Sequence, residues 1–196
     1  MTAYKVGYFV GSLSEHSINR VLSRALIRLA PDDLGFTEIP IGDLPLYNRD
    51  LDANFPPEAT ALKEAIAGSD AVLFVSPEYN RSIPGALKNA IDWASRPWGH
   101  NSFDHIPAAV IGASPGAIGT ALGQQSLRGV LSFCNARQMT SPEAYINFSH
   151  EVFQDDGEVT NDATREFLRS YMAEFRTYTG MVLAVLPRSR SASEDA

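Results

Sequence analysis

Cysteine is nearly absent. Cys134 is the only one among 196 residues, so no disulfide can close within the chain. It lies in VLSFCNA, where a free thiol usually serves as a small buried hydrophobe. Long apolar runs are missing too, and none approaches the ~20 residues of a membrane helix. The opening residues, MTAYKVGYFVGSLSEHS, carry only Lys5 as positive charge and lead straight into a strand-like run. A secretory signal has a basic start, a longer apolar core and a small-residue cleavage site, so a cytoplasmic protein is expected. Positive charge is sparse and scattered: 16 Lys and Arg stand against 23 Asp and Glu, for a net charge of −7. Nucleic acid rewards clustered basic residues, so it is not the expected partner. The four histidines (His16, His100, His105, His150) show no metal-ligand spacing, and a structural zinc is not expected. Also lacking are G-x-G-x-x-G and G-x-x-x-x-G-K-[ST], the phosphate loops of dinucleotide and triphosphate sites.

What the chain does have is alternation. Strand-like runs at residues 4–10, 35–41, 70–76, 106–113 and 137–143 are separated by helical patterns at 17–29, 57–68, from 84 onward, after 113, and at 162–183. The run at 137–143 is the weakest strand. Pro40 puts the second strand near a sheet edge, because proline cannot donate to a ladder. Asp162 offers a cap for the final helix. Residues 187–196, PRSRSASEDA, are polar and expected to be disordered, which leaves residues 1–186 as one domain. Alternating strands and helices predict an α/β fold: a parallel sheet covered on both faces. Ligands of such sheets sit at the carboxyl ends of the strands, where strand order reverses. In the order 2-1-3-4-5 that point lies between strands 1 and 3.

Three loops should therefore meet there. The first, GSLSEHSINR, turns on Gly11 and offers Ser12, Ser14, Ser17 and Asn19 at a helix start. Free amides and the dipole favour an anion there. The loop suits one phosphate monoester held without a metal, although a capped helix with surface serines would read the same way. The second loop, PEYNRSIPGALKN, presents the flat face of Tyr79 and the polar groups of Asn80 and Ser82. Its plainer reading is a strand-to-helix connection with Glu78 as a solvated charge. The third, ASPGAIGTALGQQ, carries Gly116 and Gly119, which let backbone approach a planar ligand. Together a phosphate grip, a ring-sized slot and a glycine-lined wall suit a phosphorylated planar cofactor.

GSLSEHSINR, SPEYNRSIPGALKNAIDW and ASPGAIGTALGQQSLR resemble, in order and spacing, the NADPH-dependent FMN reductase family. This flavodoxin-like group includes bacterial quinone reductases, chromate reductases and some azoreductases. The likeness runs from about residue 4 to 180. It implies a flavodoxin-like three-layer sandwich with a five-stranded parallel sheet, bound FMN, and hydride transfer from NADPH or NADH to quinones, azo dyes or metal oxyanions. One open face serving both reactants implies ping-pong kinetics. The resemblance places the phosphate on Ser12, Ser17, Ile18 (through its backbone) and Asn19. It lines the ribityl chain and ring with Pro77, Glu78, Tyr79 and Asn80. Ser114, with backbone near Gly116 and Gly119, faces the ring's pyrimidine edge. No side chain is expected to be catalytic, because the cofactor carries the chemistry.

The resemblance implies a homodimer or homotetramer, with Arg128 and Glu143 at positions that build subunit contacts, although ordinary surface or helix-capping charges would read the same way. Trp93 and Trp98 suit either such a seam, the flavin or the core. Two departures stand out. Ser14 occupies a place where many members have arginine, so FMN is expected to bind more weakly or to lean on Arg20 or a neighbouring subunit. Arg81 replaces an aromatic or small residue at the mouth of the site. The rival reading is a flavodoxin-like one-electron carrier. Such carriers show a T-x-T-G-x-T phosphate loop, which this chain lacks. A binding module without flavin would rest on Ser14 alone.

Overall fold

Residues 71–75, AVLFV, are apolar at every position, and all five are buried. Such a strand needs cover on both faces, and only the interior of a layered fold supplies it. The computed structural model describes residues 4–187. From residue 188 on, the stretch expected to be disordered lies outside the described residues. The strands are β1 (Tyr4–Val10), β2 (Leu34–Glu38), β3 (Ala71–Val75), β4 (Pro107–Ser114), β5 (Arg137–Gln138) and β6 (Tyr145–Asn147). The helices are α1 (Ile18–Leu29), α2 (Pro57–Ala67), α3 (Gly85–Ala94), α4 (Ala121–Phe133) and α5 (Asp162–Val185). The sheet is parallel in the order β2-β1-β3-β4-β5, as expected.

The pleat sorts the core into two layers. Leu73 and Val75 pack with Leu22 and Leu26 of α1 and with Tyr171 and Phe175 of α5. Val72 and Phe74 face the other way, toward Ile66 of α2, Leu87 and Ile91 of α3, and Leu131 of α4. β2 is an edge strand and stops at Glu38, so Pro40 falls beyond it. Cys134 is buried. No helix among the described residues is long and apolar enough to cross a membrane.

Two expectations need correction, and one left open is settled. Of the strand expected at 137–143 only β5, Arg137–Gln138, forms, paired with the start of β4; β6, which pairs with the end of β4, lies beyond the expected span. Between them Pro142, after a cis bond from Ser141, has no N–H for a ladder. Arg128 of α4 fills the break and donates from Nη1 to the Met139 carbonyl at 2.9 Å. The cap of α5 is Asn161, whose Oδ1 accepts from the Thr164 amide; Asp162 is the first helical residue. The two tryptophans part company. Trp93 is buried and donates from Nε1 to the Pro45 carbonyl at 2.7 Å, whereas Trp98 is exposed.

β4 carries the third loop, and α5 holds it from behind. Tyr171 is fully buried, and its hydroxyl donates to the Val110 carbonyl at 2.9 Å. Burial pushes the phenol well above its ordinary pKa, so it remains a donor at any working pH. Tyr171→Phe keeps the packing and removes this bond. A loss of about 1 kcal/mol in urea unfolding is expected, the usual net worth of a buried hydrogen bond.

Candidate functional site

The three loops do converge at the carboxyl edge of β1, β3 and β4. Gly11 donates its amide to Val75 at the end of β3. A Cβ at Gly11 would fall 2.4 Å from the Ser76 hydroxyl, so only glycine lets the first loop leave β1 this close to β3. Ser17 caps α1 by accepting from the Arg20 amide on both its carbonyl and, at 3.4 Å, its hydroxyl oxygen. A helix start leaves up to four amides to satisfy. The Arg20 and Val21 amides reach Ser17, while those of Ile18 and Asn19 have no protein partner among the described residues. Ser12, buried in the same loop, accepts from the Ser14 amide at 3.3 Å.

Asn19 and Arg20 have other work. The Asn19 amide donates to the Ala113 carbonyl at 3.0 Å and accepts from the Ala113 N–H at 2.8 Å. Its side chain is spent on β4, and only its backbone amide is left for a ligand. Arg20 donates from Nη1 to both oxygens of Glu38, at 2.9 and 2.8 Å. The Tyr8 hydroxyl donates to the same carboxylate at 3.2 Å. Burial and that carboxylate together push the Tyr8 phenol up. Arg20 is therefore not the free cation that the sequence suggested.

The second loop contains a tight turn. Tyr79 and Ser82 exchange both backbone hydrogen bonds, at 2.9 and 3.0 Å. Asn80 and Arg81 between them have φ of 52° and 66°. Positive φ at both central positions is the signature of a type I′ turn. It lifts the Tyr79 ring into the open. Glu78, nearly enclosed, is not a solvated charge. Its Oε2 accepts from the Leu122 and Gly123 amides at 3.0 and 2.9 Å, and its Oε1 accepts from Arg81 at 3.2 Å. The carboxylate thus caps α4 from another loop, where Thr120 makes no side-chain cap of its own.

The third loop is braced from several sides. Gly116 donates to the Ser114 hydroxyl oxygen at 3.1 Å, and Gly119 donates to the Gly116 carbonyl at 3.0 Å. The amides free to face a ligand are instead those of Ala117 and Ile118, which have no protein partner among the described residues. Asn147 of β6 holds the Pro115 and Gly116 carbonyls at 3.2 and 3.1 Å. Gly112 lies beneath, and a Cβ there would sit 2.1 Å from the Ser76 carbonyl oxygen and 2.3 Å from the Thr120 hydroxyl.

Between the loops lies a cleft of about 280 Å³. Of the expected residues, Ser12, Ser17, Ile18, Asn19, Pro77, Glu78, Tyr79 and Ser114 line it together. Asn80, Gly116 and Gly119 are outside its lining. Ser14, His16, Ala113 and Pro115 complete the wall. His16 escaped the sequence reading because an exposed histidine in a serine-rich loop carries no spacing signal.

The profile of the NADPH-dependent FMN reductase family matches residues 4–151. This chain belongs to that family. It is 46% identical over 90% of its length to a 2-hydroxy-1,4-benzoquinone reductase of Burkholderia sp, and covers 96% of that protein. It is 47% identical over 93% of its length to a quinone reductase of Pseudomonas putida, and covers 98% of it. Among solved structures, the flavoenzyme NAD(P)H:(acceptor) oxidoreductase FerB of Paracoccus denitrificans superposes with a TM-score of 0.88 at 47% identity. The match covers 91% of this chain and 98% of FerB. A flavodoxin mutant from Pseudomonas aeruginosa, at 17% identity and a TM-score of 0.55, shares the fold.

The cofactor of this family is FMN, and the cleft fits it. Two unpartnered helix amides beside serine hydroxyls suit a phosphate. Tyr79 and the Ala113, Ser114 and Pro115 wall are spaced by loops that glycines keep close. Because Glu78 joins the second loop to α4, Glu78→Ala should lose roughly 1–2 kcal/mol, the cost of a lost helix cap, and should also weaken FMN in a fluorescence titration. Glu78→Gln keeps an acceptor for both amides and should fall between. Gly112→Ala forces Ser76 and Thr120 apart. At least a tenfold loss of FMN affinity, or failure to fold, is expected, since overpacking costs about 1–3 kcal/mol or more.

Proposed function

We propose that this protein is an NAD(P)H:quinone oxidoreductase that works through FMN held in the cleft between its first, second and third loops. When bound, FMN supplies the hydride relay from nicotinamide to acceptor. The chain's own part is to hold, orient and expose it. The hydroxyls of Ser12 and Ser17 and the backbone amides of Ile18 and Asn19 take the phosphate. Pro77, Glu78, Tyr79 and Asn80 run beside the ribityl chain and ring. Ser114 and the turn through Gly116 and Gly119, with the Ala117 and Ile118 amides exposed, meet the pyrimidine edge. Donors fixed there stabilise negative charge as it develops on the ring. The observation that carries this reading is the pair of unpartnered α1 amides opening into a cleft at the strand-order reversal.

Quinone is the acceptor favoured by the names of the relatives and by exposed apolar side chains on the loops that form the cleft. Leu13, Tyr79, Ile118 and Leu122 are exposed on the three loops. Azo dyes and metal oxyanions are further acceptors for an open site. The working unit is residues 1–186, assembled as a homodimer or homotetramer in the cytoplasm. What supports assembly is a second hollow of about 420 Å³ flanked by the exposed rings of Trp98 and Phe133, since large exposed apolar side chains mark interfaces. Arg128 leaves Nε and Nη2 buried and unpartnered within the subunit. Glu143 accepts from Gln125 at 3.3 Å.

The deciding experiment adds NADPH to the FMN-loaded protein without oxygen and follows the flavin band, then varies NADPH and benzoquinone together. Rapid bleaching and parallel initial-velocity lines are expected. Bound flavin that neither NADPH nor NADH bleaches would mark an electron carrier and overturn the reading.

A further inference from the structure

We propose that His16 supplies the positive charge at the phosphate end of the cleft, and so makes FMN binding dependent on pH. This rests on the flavin reading above. A phosphate monoester carries about −1.5 to −2 charge near pH 7. The cleft meets that end with hydroxyls and amides, which are neutral. Among the residues lining it, His16 alone has a side chain able to become a cation. The other basic groups nearby are engaged: Arg20 is fixed on Glu38, and Arg81 on Glu78. His16 makes no hydrogen bond or ion pair of its own among the described residues, so its imidazole is available. It directly precedes Ser17, the cap of the helix whose first amides are open.

The charged surroundings are few. Glu15 adjoins His16 and is exposed. Asp43 stands in the loop that packs at Leu13 through Gly42. Glu78 lines the same cleft, with its oxygens held by α4 and Arg81. Arg20, Glu38 and Tyr8 form their own cluster on the side of α1, β1 and β2.

The sign follows from the two ionisations. Imidazole as a residue type loses its charge between pH 5 and 8. The phosphate gains its second charge near pH 6, so from pH 6.5 upward it is mostly dianionic. If a histidine cation supplies the attraction, affinity for the phosphate should be lower at the alkaline end of that range.

The test measures dissociation constants for FMN and for riboflavin, which lacks the phosphate, by quenching of flavin fluorescence at pH 6.5 and 8.5. The proteins are wild type, His16→Asn and His16→Arg, altered in an exposed loop position. Wild type should bind FMN about two- to fivefold more weakly at pH 8.5, the scale of one exposed charge pair. Riboflavin binding should not change. His16→Asn should bind FMN weakly at both pH values, and His16→Arg tightly at both. If His16→Asn matches wild type for FMN at both pH values, His16 has no such role and the proposal is overturned. If wild type binds FMN no better than riboflavin, the phosphate reading of the cleft itself fails, and the proposal falls with it.

Discussion

The cleft depends on how one side-chain amide is used. Asn19 is the second residue of α1, and its two buried hydrogen bonds close a ring with the Ala113 peptide at the end of β4. That ring fixes the distance between the open amides of the helix and the strand that launches the third loop. Asparagine suits the place because it offers a donor and an acceptor side by side. An aspartate would set a carboxylate against the Ala113 carbonyl, and a leucine would leave both peptide groups unpaired. Each unpaired buried group costs about 1–3 kcal/mol. The helix is thus aimed by a bond to the far side of the site, and β3, lying between, need contribute no side chain to the aiming.

Two helix starts point at this edge, and the chain treats them differently. The amides at the start of α4 are closed by Glu78, a carboxylate carried in from the second loop. Those at the start of α1 are capped only by Ser17, which leaves the first pair open. A helix N-terminus attracts negative charge wherever it is exposed. By satisfying α4 internally, Glu78 leaves α1 as the better anion site at this edge. Gly123 is part of the same device, since a Cβ there would come within 3.2 Å of Glu78 and of the Ser82 carbonyl. The long P-E-Y-N motif therefore has a mechanical meaning. Pro77 ends the strand, Glu78 docks the loop on the neighbouring helix, and the turn at Asn80 and Arg81 presents the Tyr79 ring.

Much of this was legible in the sequence, and what was not had physical reasons. β3 and most of β4 are unbroken apolar runs, β1 is interrupted only at Lys5, and all three could be read with ends within a residue or two. The fifth strand could not, because its pairing is split by a segment around Pro142 that takes its support from Arg128 rather than from a ladder. The three loops could be read as permissive, but composition does not say which polar group is spent on the fold. Asn19, Glu78 and the amides of Gly116 and Gly119 all read as ligand contacts. In the fold Asn19 and Glu78 bond across to β4 and α4, the Gly116 and Gly119 amides bond within their own loop, and the open amides belong to Ala117 and Ile118, whose side chains gave no hint. Arg20 was misread for the same reason: its partner Glu38 is distant in sequence and adjacent only once β2 lies beside β1.

The loops that form the cleft expose apolar side chains beyond its polar lining, and this has a kinetic meaning. A site that recognises its reactant through buried polar groups rejects analogues that lack the matching atom. Leu13, Tyr79, Ile118 and Leu122 offer no such test; they reward any flat apolar body of suitable size. Burying about 100 Å² of apolar surface yields about 2.5 kcal/mol. Alone that is a weak hold, and it is shared by every planar acceptor. Weakness is useful where one face must receive a nicotinamide, release it and then receive a quinone, because each reactant must leave before the next can enter. Strength is needed only at the other end of the cofactor, where the phosphate stays between turnovers. On the proposed reading the open Ile18 and Asn19 amides serve that end, and the exposed apolar side chains of the loops meet the reacting face without discriminating.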